Sequence, residues 1–177
     1  MDFKRGLEEN TLHFGLSDGK VTDVCPEEAE PTWALNIKRA VLSSLQITME
    51  DFQTPTTNTE TDVEGECPVM YEPTGSTWSS YTVTKTKDLL ACSQPTYSNT
   101  VFQAMNYKVP SKVQSLPLLK SNHECQLEVA TNGRIIKSTC EERHIFRPFS
   151  RDESGATTIV THSLIFKSES SGVRSGT

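Results

Sequence analysis

No stretch of this chain approaches the roughly 18 consecutive apolar residues that cross a bilayer as a helix. The opening residues MDFKRGLEEN lack the apolar core of a secretory signal. Catalytic signatures are missing too: there is no G-x-S-x-G elbow, no H-E-x-x-H pair and no glycine-rich phosphate loop. Excess positive charge is also lacking. A net charge of −6 argues against general nucleic-acid binding, which calls for a basic domain. No N-x-S/T sequon occurs, so N-linked glycosylation is not expected. No internal repeat is found. Apolar residues make up only 34% of the chain, lean for a globular domain, although 177 residues suffice for one domain with a real core.

Cysteine is present in quantity. Five cysteines argue for an oxidising compartment, and a fragment would reconcile them with an opening that lacks a signal segment. The expectation is a piece of a longer secreted protein.

Residues 125–150, CQLEVATNGRIIKSTCEERHIFRPFS, carry the most information. Asn132-Gly133 is the strongest two-residue hairpin signal, since both centres of a type I′ turn need positive φ. In that register Thr131 faces Arg134, Val129 faces Ile136, and Cys125 lands opposite Cys140. Cys125, Leu127, Val129, Ile136 and Cys140 then share one face, with Gln126, Glu128, Lys137 and Thr139 on the other. Opposed Cα atoms in an antiparallel pair lie roughly 4.5–5.5 Å apart, within disulfide range. A Cys125–Cys140 cystine is expected, stabilising by roughly 3 kcal/mol in the chain-entropy model.

Other elements follow from period and punctuation. HFGLSDGKVTDV reads as a ribbon turning at Asp18-Gly19, and Cys25 to Thr32 as an acidic connector. Trp33, Ile37, Val41 and Leu45, with Leu35 and Leu42 beside them, mark one helix with Thr32 as its N-cap. Asp51 to Asp62 has almost no apolar content and reads as a mobile loop. Val63, Gly65, Cys67, Val69 and Tyr71 alternate as a half-buried strand; EPTGST turns the chain about Thr74 and Gly75, and Trp78 to Lys87 returns. Val101 to Val109 reads as a strand and Leu116 to Leu119 as a packed loop. A last strand spans Thr157 to Lys167, with Val160, His162, Leu164 and Phe166 on one face. The pattern is one helix among about eight short strands, a mainly β chain close to an all-β barrel with a helical insert.

WALNIKRAVLSSLQ at Trp33 to Gln46, ECPVMY followed by KTKDLLAC, and then CEERHIFRPFS occur in that order along the chain. Together they resemble the large lipid transfer proteins: vitellogenins, apolipoprotein B, insect apolipophorins, crustacean clotting proteins and the microsomal triglyceride transfer protein. The resemblance spans residues 12–167 and leans towards the arthropod members. Ala40 stands where relatives commonly have glycine, and Cys25 has no evident counterpart in apolipoprotein B. The resemblance implies part of an antiparallel amino-terminal β-barrel of the N-sheet type, incomplete here, with a central helix. Residues 1–11 would be disordered or a residual strand, 12–167 barrel, and 168–177 a disordered tail.

The resemblance also decides a second cystine, Cys67–Cys92, because the expected hairpin brings Cys67 near Thr82 and not near Cys92. Cys25 is left over, free or paired with a cysteine outside this chain. A rival zinc site of His123, Cys125, Cys140 and His144 needs thiols kept reduced, which secreted proteins rarely allow. A Cys140–His144 nucleophile pair yields to a cystine beside a surface histidine, and His162 to a core histidine. Glu27-Glu28 and Glu141-Glu142 read as solvated edges. No enzyme, cofactor or resident metal is expected.

Lys108, Lys112 and Lys120 with Arg143, Arg147 and Arg151 form two loose basic clusters, ordinarily a solvated face. The resemblance implies that Lys108, Lys112, Lys120, Arg143 and Arg147 serve recognition by a low-density-lipoprotein-type receptor. It implies lipid carried by the full-length protein, contact with the chain's own remaining domains, and secretion. A packed barrel would hold little lipid alone. The alternatives are a stand-alone disulfide-stabilised barrel with an apolar ligand in its own cavity, and a clotting-protein fragment.

Overall fold

The computed structural model describes residues 3–93, 119–146 and 155–169 of the chain. Ten regular elements follow one another: α1 (Phe3–Glu8), β1 (His13–Ser17), β2 (Lys20–Cys25), α2 (Thr32–Ser43), β3 (Thr56–Asp62), β4 (Gly65–Ser76), β5 (Ser80–Asp88), β6 (Leu119–Ala130), β7 (Ile135–Phe146) and β8 (Ala156–Ile165). β1 and β2 form a two-stranded ribbon, while β3 to β8 form a six-stranded antiparallel sheet in sequence order. The fold is mainly β and antiparallel as expected, and among the described residues the sheet stays open, with β3 and β8 at its edges. The open sheet is the incomplete N-sheet-type barrel expected from the sequence.

Both turn signals act, by different geometries. At Asp18-Gly19 the two central φ values are 50° and 72°, the mirror-image turn that suits strand twist. At the β6–β7 tip Gly133 alone has positive φ, 84°, and its N–H donates to the Ala130 carbonyl at 2.8 Å. This is a three-residue loop with a glycine bulge, not the two-residue turn read from Asn-Gly. Val129 accordingly pairs with Ile135 instead of Ile136. The register then shifts by one residue before Glu128, which restores Cys125 opposite Cys140.

Asp51 to Asp62 is not wholly a loop. Thr56–Asp62 pairs with β4 along its full length. Thr57, Thr59 and Thr61 supply β-branched residues on one face, and the other face carries Asn58, Glu60 and Asp62. Those inward residues are polar, so hydrophobic alternation gave no sign of the strand. The turn after β4 also moves: β4 runs through the EPTGST segment, where Gly75 sits at a register shift. The chain reverses at Thr77–Ser79, where Thr77 N–H donates to Ser80 O at 2.7 Å. Trp78, 94% exposed, caps that tip.

Helix α2 starts at Thr32 with Pro31 in the capping position and no side-chain cap, so Thr32 is the first helical residue and not the cap. Its buried residues are Ala34, Leu42 and Ser43. Ile37 is exposed and Trp33 is only partly covered. Residues expected to be disordered or a strand instead form α1, whose Phe3 ring stacks on Trp33 at 5.3 Å. The C-terminal end of the helix, with Leu42 and Ser43 buried, meets the inner face of the sheet.

The core is that inner face. Val69, Tyr71, Val83, Cys125, Leu127, Val129 and Cys140 pack beneath Met49, with Ile47 and Phe52 against them. Each fully buried aliphatic side chain contributes roughly 1.5–3 kcal/mol relative to exposure. Among the described residues no helix is long and apolar enough to cross a membrane. The strand expected at Val101 to Val109 and most of the Leu116 to Leu119 loop lie outside the described residues, as does most of the 168–177 tail; Leu119 itself opens β6.

Candidate functional site

Two features of the sheet bear on function: a sealed inner face of cystines, histidines and ion pairs, and an exposed outer face carrying basic residues.

Both expected cystines are present. Cys125–Cys140 joins β6 and β7 with Cα atoms 4.0 Å apart, and Cys67–Cys92 closes with Cα atoms 4.1 Å apart. The second is reached because β4 runs long. A short 3-10 turn at Leu89–Ala91, held by Asp88 Oδ1 accepting from Leu90 N–H at 3.0 Å, swings the chain back. Glu66 and Ser93 then exchange backbone hydrogen bonds of 3.0 and 2.7 Å. Cys25 is free and exposed.

The inner face between β3 and β5 is ionic. Glu60 Oε2 makes an ion-pair contact of 2.6 Å with Lys85 Nζ, without the alignment of a good hydrogen bond. Tyr71 O–H and Thr48 O–H donate to Glu60 Oε1, and Lys87 pairs with Asp62. Lys85 also donates to Ser43 O and Gln46 O at 3.1 and 2.9 Å, anchoring the carbonyl end of α2 on the sheet. Burial lowers the Lys85 pKa in spite of Glu60, and burial followed by the Glu60 charge holds Tyr71 well above the ordinary phenol value. Sequence reasoning missed this network. The available signal was the spacing of Glu60 with Asp62 and Lys85 with Lys87, two charges per strand on one face.

Next to it, His123 Nε2 lies 3.6 Å from Cys125 Sγ. Burial foremost, then Lys87 and Lys85, pushes the His123 pKa down to about 4. His162 stands opposite Cys140 in register, and its ring stacks on His123 at 6.1 Å. His144 is engaged elsewhere, with Ser121 Oγ 2.9 Å from Nδ1 and Glu142 against Nε2. The four donors read from the sequence as a zinc set are thus not brought together. No nucleophile–base pair arises from Cys140 and His144, because the sulfur is in a cystine.

On the outer face, Lys120 pairs with Ile145 and Asn122 with Arg143, so Lys120 and Arg143 are diagonal neighbours on adjacent strands. They border a shallow polar groove with Asn122, Glu124, Gln126 and Glu141. Arg143 is ion-paired to Glu141 at 2.6 Å. Lys108, Lys112, Arg147 and Arg151 lie outside the described residues.

Comparison with known proteins agrees in kind. The family model of the vitellogenin N-terminal domain matches residues 2–174. Vitellogenin of Penaeus merguiensis is 32% identical over 147 residues, covering 81% of this chain. Apolipophorins of Locusta migratoria are 30% identical over 175 residues and apolipoprotein B-100 of Homo sapiens 25% over 177, each covering 92% of this chain. The chain spans 5%, 5% and 4% of the length of these three relatives. A solved lipovitellin chain superposes with a TM-score of 0.69 over 96% of this chain and 19% of its own, at 22% identity, which speaks for the fold alone. These similarities are to vitellogenin and apolipoproteins, not to enzymes. With the open N-sheet-like fold and a family match along nearly its whole length, the chain belongs to the vitellogenin N-terminal domain family.

Proposed function

We propose that this chain is part of the amino-terminal module of a secreted lipid-transport protein, and that it acts by holding the module's shape and by recognising a partner. The observation that carries this is the family match over residues 2–174 to a domain shared by vitellogenin and apolipoproteins. Two cystines support an extracellular setting, because cytosolic proteins rarely keep them. The partner would be a receptor of the low-density-lipoprotein type, with acidic modules that meet the outer face at Lys120 and Arg143. Lys108, Lys112 and Arg147 extend the same proposal. Electrostatic pairing of this kind supplies encounter rate and specificity. The test is binding of the chain to such a receptor at low and high salt. Lys120→Glu with Lys112→Glu should reduce affinity at least tenfold, and heparin should compete. Unchanged binding by the double variant would remove the receptor role.

A second reading, an apolar ligand taken up by this chain itself, is favoured by one feature. A cleft of about 1260 Å³ opens between the ribbon and the sheet, with Phe14, Leu16, Ile47, Met49 and Phe52 in its lining. It is an open groove and not the interior of a barrel. Saturable binding of a fluorescent fatty acid to the chain, abolished by Phe52→Ser, would favour this reading; absence of binding would discard it.

A further inference from the structure

We propose that Asn132, at the tip of the β6–β7 hairpin, is a self-modification site, where the Gly133 nitrogen and water convert its carboxamide to aspartate and isoaspartate. The proposal is independent of the lipid-transport reading.

Sequence and tip geometry meet at this pair. No other asparagine of the chain precedes glycine, and glycine offers its nitrogen with no Cβ in the path of attack. Both residues are exposed, and a methyl group placed on Gly133 would meet nothing within 4 Å. Asn132 Oδ1 accepts from Arg134 N–H at 3.2 Å, which folds the carboxamide back over the Gly133 peptide unit. By contrast, Asn36, Asn58 and Asn122 stand inside α2, β3 and β6, and Asn58 Nδ2 also donates to Thr48 O at 2.6 Å.

One restraint acts on the tip. Gly133 N–H donates to Ala130 O at 2.8 Å and must let go before the nitrogen can attack. That bond closes a short loop with open space over Gly133, so local fraying releases it without unfolding the sheet.

The chemistry balances. The Gly133 nitrogen bonds to Asn132 Cγ, the Cγ–Nδ2 bond breaks, and ammonia leaves with the amide proton. The product is a five-membered succinimide, which water opens at either carbonyl. Attack at Cγ breaks the bond just made and yields aspartate. Attack at the main-chain carbonyl breaks the original peptide bond and yields isoaspartate. No oxidant or reductant takes part. Aspartate keeps the acceptor for Arg134 N–H. Isoaspartate carries the main chain through one extra methylene, which disturbs the bonds from Gly133 N–H to Ala130 O and from Ala130 N–H to Arg134 O. Either product adds a negative charge beside Arg134, whose contact with Glu169 is a loose 3.5 Å, at the rim of the cleft that Gly133 and Arg134 help to line.

The test incubates the full unreduced chain at mildly alkaline pH in water enriched in heavy oxygen, with peptide mapping after reduction. The peptide Ser121–Arg134 should appear in two new forms of equal mass, each carrying heavy oxygen. Fragmentation should place the change at Asn132 and not at Asn122, and isoaspartyl methyltransferase should label one form. Gly133→Ala should slow conversion at least tenfold while the chain stays folded, because the new Cβ crowds the attacking nitrogen. Asn132→Gln should remove it. Unfolding in urea should speed conversion no more than about tenfold, since a single hydrogen bond restrains the tip. Conversion of Asn132 in urea but not in the folded chain would overturn the proposal, as would earlier conversion at any other asparagine.

Discussion

Lys85 Nζ stands 2.6 Å from Glu60 Oε2, both side chains closed to solvent, although their strands β5 and β3 are separated by β4. The same ammonium holds two carbonyls at the end of α2. One buried charge therefore fixes the helix, the edge strand and the sheet centre together. Breaking such a pair from one side leaves an uncompensated charge, typically at a cost of about 3–5 kcal/mol. Lys85→Met and Glu60→Leu should each destabilise by an amount of that order. The double variant Lys85→Met/Glu60→Leu should cost less than Lys85→Met alone. Urea unfolding in a double-mutant cycle measures it, and simple additivity would show that the two groups are not coupled.

Acid should weaken the fold through His123. Its folded pKa is about 4 against 6.5 for the free side chain. Between those values the unfolded imidazole takes up a proton that the folded one refuses, so stability falls as pH falls. From pH 7 to pH 4 the loss attributable to this group approaches about 3 kcal/mol. His123→Gln should flatten that part of the stability–pH curve while leaving the carboxylate-dependent part below pH 4. Identical curves for both proteins would show that His123 titrates normally.

Two glycines should respond very differently to a methyl group. A Cβ on Gly19, at φ +72°, would meet the Ile47 carbonyl oxygen at 1.7 Å, whereas one on Gly133, at φ +84°, meets nothing within 4 Å. Gly133→Ala then carries only left-handed strain, on the order of 1 kcal/mol. Gly19→Ala adds displacement of the ribbon tip, including the 2.8 Å hydrogen bond from Ile47 N–H to Gly19 O, and should cost clearly more. Thermal unfolding of the two variants side by side checks the order.

The cystines should be separable by mapping and by stability. Proteolysis of the unreduced chain after alkylation should yield linked Cys67–Cys92 and Cys125–Cys140 peptides, with Cys25 alone alkylated. Replacing Cys125 and Cys140 together by alanine opens a span of 15 residues and should cost about 3 kcal/mol. Cys25→Ser should be neutral, and a Cys25-linked peptide would contradict the arrangement.

How far the sequence revealed this structure depended on whether local pattern or distant partners shaped each element. The β6–β7 hairpin was legible because turn residues, alternation and opposed cysteines agree; even the wrong turn type left Cys125 opposite Cys140, since a bulge absorbed the extra residue. Strand β3 was hidden because its inward residues Glu60 and Asp62 are balanced by Lys85 and Lys87, far along the chain. The Trp33 to Leu45 stripe suggested a buried helix, yet α1 covers Trp33 and Ile37 faces outward. Of the basic residues put forward for recognition, Lys120 and Arg143 share a face by strand register, a relation their separation in sequence conceals.

The central claim is that this module belongs to a secreted carrier of lipid. The most direct measurement is buoyant-density ultracentrifugation of extracellular fluid, following the full-length protein with an antibody raised against the β6–β7 hairpin. The account predicts that the protein floats in fractions containing phospholipid and neutral lipid, and sinks after lipid extraction. Recovery at the density of lipid-free protein, or only inside cells, would contradict it.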